Sequence, residues 1–279
     1  MDLSNYHSHC DFCDGKAPME EFVKAAIAEG FHGYGISSHS PMPFEVSCAM
    51  PRDRVTAYLD EITRLKRAYA GQIELYAGME IDYLDEQHGP ASPYFQALPL
   101  DYRIGSIHYV THPLTGQRMD IDGNEARFRA ALAERFDDDP AALVNAYYDA
   151  SERMVELGGF DFIAHPDKVI MNVTRRDPSI AGSRWYQDRV MAYLEKIAAS
   201  GVMIEINTKA YPEHGVLFPA ERHLRAIREL KIPVLVNSDA HYPRAVNEGR
   251  AAAFRLLREA GFRHAMCLKA GKWTGIPVS

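Results

Sequence analysis

Asn5-Tyr6-His7-Ser8-His9-Cys10-Asp11 is the stretch that decides the fold, and it places two histidines two positions apart near the N-terminus. In an extended strand the side chains at i and i+2 point to the same face, so the imidazoles of His7 and His9 can meet at one point. A helix would separate them by about 200°, because each residue turns by about 100°. Asp14 and Gly15 then indicate a loop. The stretch therefore predicts a metal site at the carboxyl end of a first β-strand.

The pattern of this first strand recurs along the chain. Short apolar runs typical of buried strands alternate with segments whose apolar residues are three and four positions apart, which is typical of helices. The runs cover residues 33–39, 74–81, 102–108, 160–165, 202–207 and 233–241, and helices are predicted at 18–29, 52–70, 140–157, 185–199, 219–230 and 245–260. We expect an irregular, partly helical excursion over the site at 109–139 and a long loop from 166 to 183.

This alternation of strands and helices predicts the fold class. Nearly unbroken apolar strands are typical of a mostly parallel sheet covered by helices. We expect an α/β protein with one domain over residues 1–279, a distorted (β/α)7 TIM-like barrel. Because polar residues recur where the strands end, the active site is expected at the C-terminal rim of the strands.

Nine imidazole and carboxylate side chains follow these predicted strands: His7, His9, Asp14, His39, Glu80, His108, His165, Asp239 and His241. The other six histidines are predicted to be solvated surface residues: His32, His88, His112, His214, His223 and His264. Nine ligands exceed the four that one zinc ion accepts, so two or three divalent ions are implied. The mixture of nitrogen and oxygen donors suits zinc, manganese or iron. Glu80 is the candidate carboxylate that bridges two ions.

Clustered divalent ions favour hydrolysis of a phosphate ester. They lower the pKa of a bound water from about 15.7 towards 7 and neutralise the charge on attacking and leaving oxygens. No P-loop, no Gly-x-Gly-x-x-Gly and no Gly-x-Ser-x-Gly motif is present to indicate nucleotide, dinucleotide or serine chemistry. The formal charge of −7 argues against broad nucleic-acid binding.

Cysteine content and hydropathy bear on the compartment. The four cysteines are too few and too scattered for a disulfide scaffold, and Cys10-x-x-Cys13 is either a redox or zinc pair or two reduced thiols. No apolar run approaches 18 residues, and no basic segment opens the chain. We expect no membrane span, no signal peptide and a cytoplasmic location.

Six segments, in this order and at this spacing, resemble the successive motifs of the polymerase-and-histidinol-phosphatase (PHP) superfamily: His7-Ser8-His9, Ser38-His39, Gly78-Met79-Glu80, Gly105-Ser106-Ile107-His108, Ala164-His165-Pro166 and Ser238-Asp239-Ala240-His241. The resemblance covers nearly the whole chain. Within the superfamily the chain looks most like the histidinol-phosphate phosphatases of histidine biosynthesis, through Cys13-Asp14-Gly15, Ser38-His39-Ser40-Pro41-Met42-Pro43, Glu80-Ile81-Asp82-Tyr83 and Glu205-Ile206-Asn207-Thr208.

The resemblance implies a metal-dependent phosphomonoesterase that hydrolyses L-histidinol phosphate to L-histidinol and phosphate, through a metal-bridging hydroxide at a trinuclear site. It implies one ion on His7, His9, Glu80 and Asp239, a second on Glu80, His108 and His165, and a third on Asp14, His39 and His241. Glu80, Asp239 and His241 are the implied catalytic residues. Ser38 departs from the acidic residue of many relatives, and residues 109–139 carry no clear family signature.

The residues that contact the substrate are less well defined by sequence. Lys168, Arg175, Arg176 and Lys209 are the candidate phosphate-binding residues, and Lys209 is favoured because it follows the Asn207-Thr208 strand end. The substrate amine would need an acidic or carbonyl partner, for which Glu205 and the loop acids are candidates, and Asp11 is a candidate proton donor.

The expected partner is a small phosphate monoester, with no nucleic acid and no membrane, and the oligomeric state (monomer or dimer) stays open. The alternatives are a PHP-type enzyme for another small phosphate ester, a metal-dependent nuclease, and a non-catalytic scaffold that metals stabilise.

Overall fold

The computed structural model describes residues 3–278, and its parallel strands carry the fold. The strands are β1 (Ser4–Asn5), β2 (Gly33–Ile36), β3 (Glu74–Ala77), β4 (Glu80–Asp82), β5 (Ile104–Ser106), β6 (Tyr109–Thr111), β7 (Arg118–Asp120), β8 (Phe162–Ile163), β9 (Met203–Asn207), β10 (Val234–Asn237), β11 (His264–Lys269) and β12 (Lys272–Pro277). One parallel sheet has the order β1-β2-β3 and the other β10-β9-β8-β5-β4, while β6-β7 and β11-β12 are antiparallel hairpins.

Isolated bridges connect the two parallel sheets. Ser8 pairs with Ala240 beyond the ends of β1 and β10, and His39 pairs with Glu80 beyond the end of β2. The strands therefore follow one another around a distorted TIM-like barrel, as predicted, although no continuous ladder closes it within residues 3–278.

The predicted strand at 74–81 is two strands, because the chain bends at Gly78. β3 pairs with β2, and β4 pairs with β5, so this one segment belongs to both sheets. The ring of Tyr102 crosses the bend so closely that a Cβ at Gly78 would lie 2.2 Å from it, which only glycine avoids. The Tyr58 hydroxyl lies 2.8 Å from the carbonyl oxygen of Ile36 and 2.7 Å from that of Gly78, and so holds β2 beside the bend.

Helices cover the outside of the barrel: α1 (Met19–Ala28), α2 (Val55–Ala68), α3 (Pro93–Gln96), α4 (Glu125–Phe136), α5 (Pro140–Leu157), α6 (Val169–Arg176), α7 (Arg184–Ser200), α8 (Tyr211–His214), α9 (Leu224–Glu229) and α10 (Arg250–Glu259). Apart from the short α8, which has no buried residue, these helices bury apolar side chains in the clusters that form the core. Helix α5 begins and ends where the sequence predicts. The Asp139 carboxylate caps its start by accepting hydrogen bonds from the backbone amides of Ala141 and Ala142, and Gly158, with φ of 68°, follows its end. None of the helices within residues 3–278 is both long and apolar enough to cross a bilayer.

Two segments differ from the prediction. In residues 109–139 the predicted helical part is helix α4, whose Phe128, Leu132 and Phe136 recur every four residues and are buried, but the part predicted to be irregular includes the β6-β7 hairpin. The predicted loop at 166–183 is wrong in its first half, because 169–176 is helix α6 with Val169, Ile170 and Val173 in the core. His223 is also not a surface residue, since it is 3% exposed.

Candidate metal centre

The nine predicted ligands lie at the carboxyl ends of the parallel strands, around the carboxylate of Glu80. Five imidazoles surround this carboxylate: Oε2 is 3.0 Å from His39 Nδ1, 3.2 Å from His7 Nε2 and 3.4 Å from His9 Nε2, and Oε1 is 3.0 Å from His165 Nε2 and 3.5 Å from His108 Nε2. Glu80 opens β4 immediately after the bend at Gly78, so the split strand directs this side chain into the centre.

Two further carboxylates complete the cluster. Asp239 Oδ1 is 3.1 Å from His9 Nε2, and Asp14 Oδ1 is 3.3 Å from His241 Nε2. Three groups have ligand atoms that all lie within 4.8 Å of one another: His9, Asp14, His39 and His241; His7, His9 and Asp239; and His39, Glu80 and His108. The ion assignment that the family resemblance implied differs in two ways. It grouped His9 with His7 and Asp239 but not with Asp14, His39 and His241, and it did not group His39 with His108.

The backbone is strained at two of the candidate ligands. His165 has φ of 28° and Asp239 has φ of 49°, in the left-handed region that few residues other than glycine adopt. Such conformations persist only where surrounding structure imposes them, and they concentrate at functional sites. Here they turn the chain abruptly at the ends of β8 and β10.

Hydrogen bonds orient three of the imidazole rings. His7 Nδ1 is 2.7 Å from Glu205 Oε1. His108 Nδ1 is 2.9 Å from Asp82 Oδ1, and His241 Nδ1 is 3.0 Å from the carbonyl oxygen of Asp239. A histidine that donates through Nδ1 presents the lone pair of Nε2, which is the form that binds a metal. In His7 and His108 Nε2 is the nitrogen that faces Glu80, and in His241 Nε2 is 3.3 Å from Asp14 Oδ1 while Nδ1 is 3.4 Å from Asp239 Oδ1.

The residues fit a metal because several of their buried polar atoms have no hydrogen-bond partner. Within the described chain these atoms include His7 Nε2, His9 Nε2, Asp14 Oδ1 and Glu80 Oε2. An unpaired buried polar atom is costly, and each of these is a nitrogen or oxygen donor of the type that zinc, manganese and iron accept.

Two of the candidate ligands, Glu80 and His9, have pKa shifts in the direction that metal binding requires, whereas the buried carboxylates around His7 and His108 raise the pKa of both imidazoles. Burial opposes ionisation of Glu80, but the imidazoles of His7 and His39 outweigh it and hold the pKa of this carboxyl well below its usual range. Burial, together with the neighbouring His241 and His39, holds the pKa of His9 well below 6.5. An ionised carboxylate and a neutral imidazole are the forms that coordinate a metal.

A cavity of about 220 Å³ opens beside the cluster and contains two lysines. Lys168 is almost buried, and its Nζ is 2.9 Å from Asp122 Oδ2. Lys209 Nζ is 3.4 Å from Asp239 Oδ1 and 3.2 Å from His241 Nε2. A larger cavity of about 620 Å³ lies between the amino ends of β1 to β3 and strand β11, and none of the nine ligands lines it.

Three predicted substrate or proton-transfer residues lie elsewhere. Arg176 forms an ion pair with Asp138 at 2.8 Å, and Arg175 contacts Asn172 and His214, because helix α6 turns both side chains away from the cavity. Asp11 is exposed, and its carbonyl oxygen accepts a hydrogen bond from Arg54. None of these three is among the described residues that line the cavity.

Glu205 has a different role from the one that the sequence suggested. It is 0% exposed and hydrogen-bonded to His7, so it is not available to a substrate amine. Asp82, which contacts His108, received no role from sequence, although it is two positions from Glu80 in a strand and so shares its face. Asp120 and Asp122 of the segment 109–139 line the cavity.

The fold and the site define the chain as an α/β-barrel protein with a clustered imidazole and carboxylate centre of the metal-binding type. It belongs to the PHP domain family, whose model matches residues 5–209.

Two curated proteins and a solved structure are similar over nearly the whole chain. A protein of Deinococcus radiodurans named "Probable histidinol-phosphatase" is 28% identical over 94% of this chain and 97% of its own length. The histidinol-phosphatase of Bacillus subtilis is 24% identical over 86% of this chain and 94% of its own length. The crystal structure of histidinol phosphate phosphatase from Lactococcus lactis, complexed with zinc, L-histidinol and phosphate, superimposes with a TM-score of 0.73 at 18% identity, covering 97% of this chain and 98% of that one. That likeness supports the barrel fold.

Proposed function

We propose that this protein is a metal-dependent phosphomonoesterase that hydrolyses L-histidinol phosphate to L-histidinol and phosphate. The observation that carries the proposal is the convergence of six imidazoles and three carboxylates beside a cavity that also holds two lysines. Curated relatives that match along nearly their full length are named histidinol-phosphatases, which supports this substrate over other phosphate esters. Such an enzyme acts where its biosynthetic substrate is made, so we place it in the cytoplasm.

Two or three divalent ions, of zinc, manganese or iron, would be held by the nine ligands. His9, Asp14, His39 and His241 form one group, and His7 and Asp239 form another with His9, which would serve only one of the two positions. His108 and His165 would hold a third ion together with Glu80. The two oxygens of Glu80 face different imidazoles, so this carboxylate would connect the third ion to the other two groups. When bound, such ions lower the pKa of water and neutralise phosphate oxygens.

Lys168 and Lys209 are the proposed phosphate-binding residues. Both line the cavity, and they approach the cluster from its β8 and β9 sides. The ammonium group of Lys168 has three donors, of which Asp122 uses one, so two remain for phosphate oxygens. Its pKa stays above the usual range, because the neighbouring Asp122 and Asp239 outweigh the effect of burial. The lysine is therefore charged when the phosphate arrives.

Asp120 is the proposed partner of the substrate amine. Its carboxylate lines the cavity, and its Oδ1 accepts a hydrogen bond from the backbone of Asp122. The nearest cation, Arg127, is 3.7 Å away on a side chain that is 72% exposed, and an exposed pair of this kind is weak. Burial raises the pKa of Asp120, and a bound ammonium group would favour its ionised form.

A substrate panel on the metal-loaded protein tests the proposal. It compares histidinol phosphate with the ester of the same length that lacks the amine, a nucleoside monophosphate and single-stranded DNA. We expect histidinol phosphate to have the highest kcat/KM by at least tenfold. The Asp239→Asn variant, purified in the same way, controls for a contaminating phosphatase. Equal rates on all phosphate monoesters would refute the substrate, and faster cleavage of DNA would identify a nuclease.

A further inference from the structure

Four hydrogen-bond donors converge on the buried carboxylate of Glu205. Oε1 is 2.7 Å from His7 Nδ1 and 2.9 Å from Asn237 Nδ2. Oε2 is 2.9 Å from Asn207 Nδ2 and 3.0 Å from the backbone nitrogen of His165. An ionised carboxylate only accepts hydrogen bonds, and its two oxygens offer about four sites. Glu205 is therefore fully used by the protein and contributes nothing to the cavity.

The orientation of both asparagines follows from backbone amides. Asn237 Oδ1 accepts a hydrogen bond from the backbone nitrogen of Tyr6 at 2.8 Å, and Asn207 Oδ1 accepts one from that of Lys209 at 2.9 Å. A backbone N–H can only donate, so in each amide the oxygen must face the backbone and the NH2 group must face Glu205. Both asparagines are thus donors to the carboxylate.

We infer that Glu205 is a positioning residue that keeps a proton on His7 Nδ1 and so directs His7 Nε2 towards the metal centre. This inference rests on the metal centre of the proposed function. The His7 ring is fully buried, and Nε2 faces Glu80 and Asp239 without a hydrogen-bond partner. With Nδ1 committed to Glu205, the opposite tautomer would place two lone pairs against each other, so Nε2 is the metal-binding nitrogen.

The same network ties His7 to the closure of the barrel. Within the described chain, strands β1 and β10 share no ladder apart from the isolated Ser8–Ala240 bridge beyond their ends, and side chains supply further connections. Asn237 Oδ1 accepts a hydrogen bond from the backbone amide of Tyr6, and Asn5 Oδ1 accepts one from that of Ser238 at 2.8 Å. The guanidinium of Arg250 donates hydrogen bonds to the carbonyl oxygens of Ser4 and Val236. Asn237 therefore contacts both the first strand and the carboxylate that orients its histidine.

A glutamine at position 205 has the right shape and cannot satisfy this network. If its oxygen faces His7 and Asn237, its NH2 group faces the Asn207 NH2 and the backbone N–H of His165, so donors oppose donors. If it is flipped, the NH2 group faces His7 Nδ1 and favours the tautomer with the proton on Nε2, which cannot bind a metal. Loss of such a supporting group typically costs 10- to 100-fold in metal affinity.

Two measurements without any substrate test the inference. The first is the zinc dissociation constant, from competition with a chelator, for the wild type, Glu205→Gln and the surface control Glu195→Gln. We expect Glu205→Gln to bind zinc about 10- to 100-fold more weakly and Glu195→Gln to match the wild type. Zinc affinity of Glu205→Gln equal to that of the wild type would overturn the inference.

The second measurement needs no variant at position 205, so it stands even if Glu205→Gln does not fold. Proteins labelled with ¹⁵N-histidine, zinc-loaded and metal-free, are studied by NMR, with His7→Gln used to assign the signals of His7. A proton on Nδ1 of His7 in both states is the expected result, and an unprotonated Nδ1 would overturn the inference. If both measurements succeed and histidinol phosphate is not hydrolysed, the proposed function fails and the role of Glu205 stands.

Discussion

Replacing Lys168 with methionine is the sharpest test of how the site binds phosphate. The side chain is 10% exposed, and Nζ is 2.9 Å from Asp122 Oδ2 at the wall of the cavity. Methionine keeps much of the length and the apolar stem, so the packing beneath the ammonium group is retained. The substitution removes one positive charge and leaves the Asp122 carboxylate without its closest cation.

The expected fall in kcat/KM for Lys168→Met follows from the kind of contact that is lost. A hydrogen bond to a charged group is worth about 1.5–3 kcal/mol. At 1.4 kcal/mol for each factor of ten, kcat/KM for histidinol phosphate should fall by about 10- to 100-fold. Most of the loss should be in KM, because the lysine contacts phosphate oxygens that are charged in both the ground state and the transition state.

Steady-state kinetics on the metal-loaded variant provide the assay, with Lys24→Met as a control because Lys24 is an exposed lysine of helix α1. The double variant Lys168→Met/Asp122→Asn separates two causes, since it also removes the carboxylate that the single variant leaves unpaired. We expect the double variant to keep a raised KM. A KM restored to the wild-type value would show that Lys168 only neutralises Asp122, and an unchanged KM in the single variant would remove Lys168 from the phosphate site.

Three further outcomes are expected. Glu80→Gln should lose most of its bound metal together with its turnover, because the Glu80 carboxylate faces five imidazoles. Full metal content of this variant by elemental analysis would contradict the proposed role of Glu80 as a bridge between ions. Asp120→Asn should raise KM about tenfold for histidinol phosphate and leave it unchanged for the ester without an amine; an equal rise for both would exclude an amine contact. Burial lowers the pKa of His223 from 6.5 to about 4. As the pH falls, this histidine therefore takes up a proton in the unfolded chain before it does so in the folded protein. The free energy of unfolding should drop by up to about 3 kcal/mol between about pH 6.5 and 4. His223→Phe should make that drop shallower in denaturant titrations of metal-free protein, and identical pH profiles would show that His223 takes up its proton equally in the folded and unfolded states.

Local patterns in the sequence were sufficient to predict the barrel and the candidate ligands. Two histidines at i and i+2 of a strand must share a face, and parallel strands must end at the same rim, so His7, His9 and the residues that follow the other strands were expected to meet. The structure brings all nine together. The helix at 140–157 was also predicted correctly, because its apolar spacing is a local feature.

Other features depended on packing between distant segments. Helix α6 was predicted to be a loop, and that error left Arg175 and Arg176 as candidates for a cavity from which the helix turns them away. His223 was predicted to be exposed, because nothing near it in the sequence shows that it is buried.

The sequence by itself determined which residues reach the rim of the barrel, because strand periodicity is a property of neighbouring residues. Only the tertiary structure decided what each of them does there. Glu205 and His7 are 198 positions apart, and the hydrogen bond between them assigns the carboxylate to the protein rather than to a substrate. A buried polar group takes its role from the partner that satisfies it, and that partner comes from a distant part of the chain.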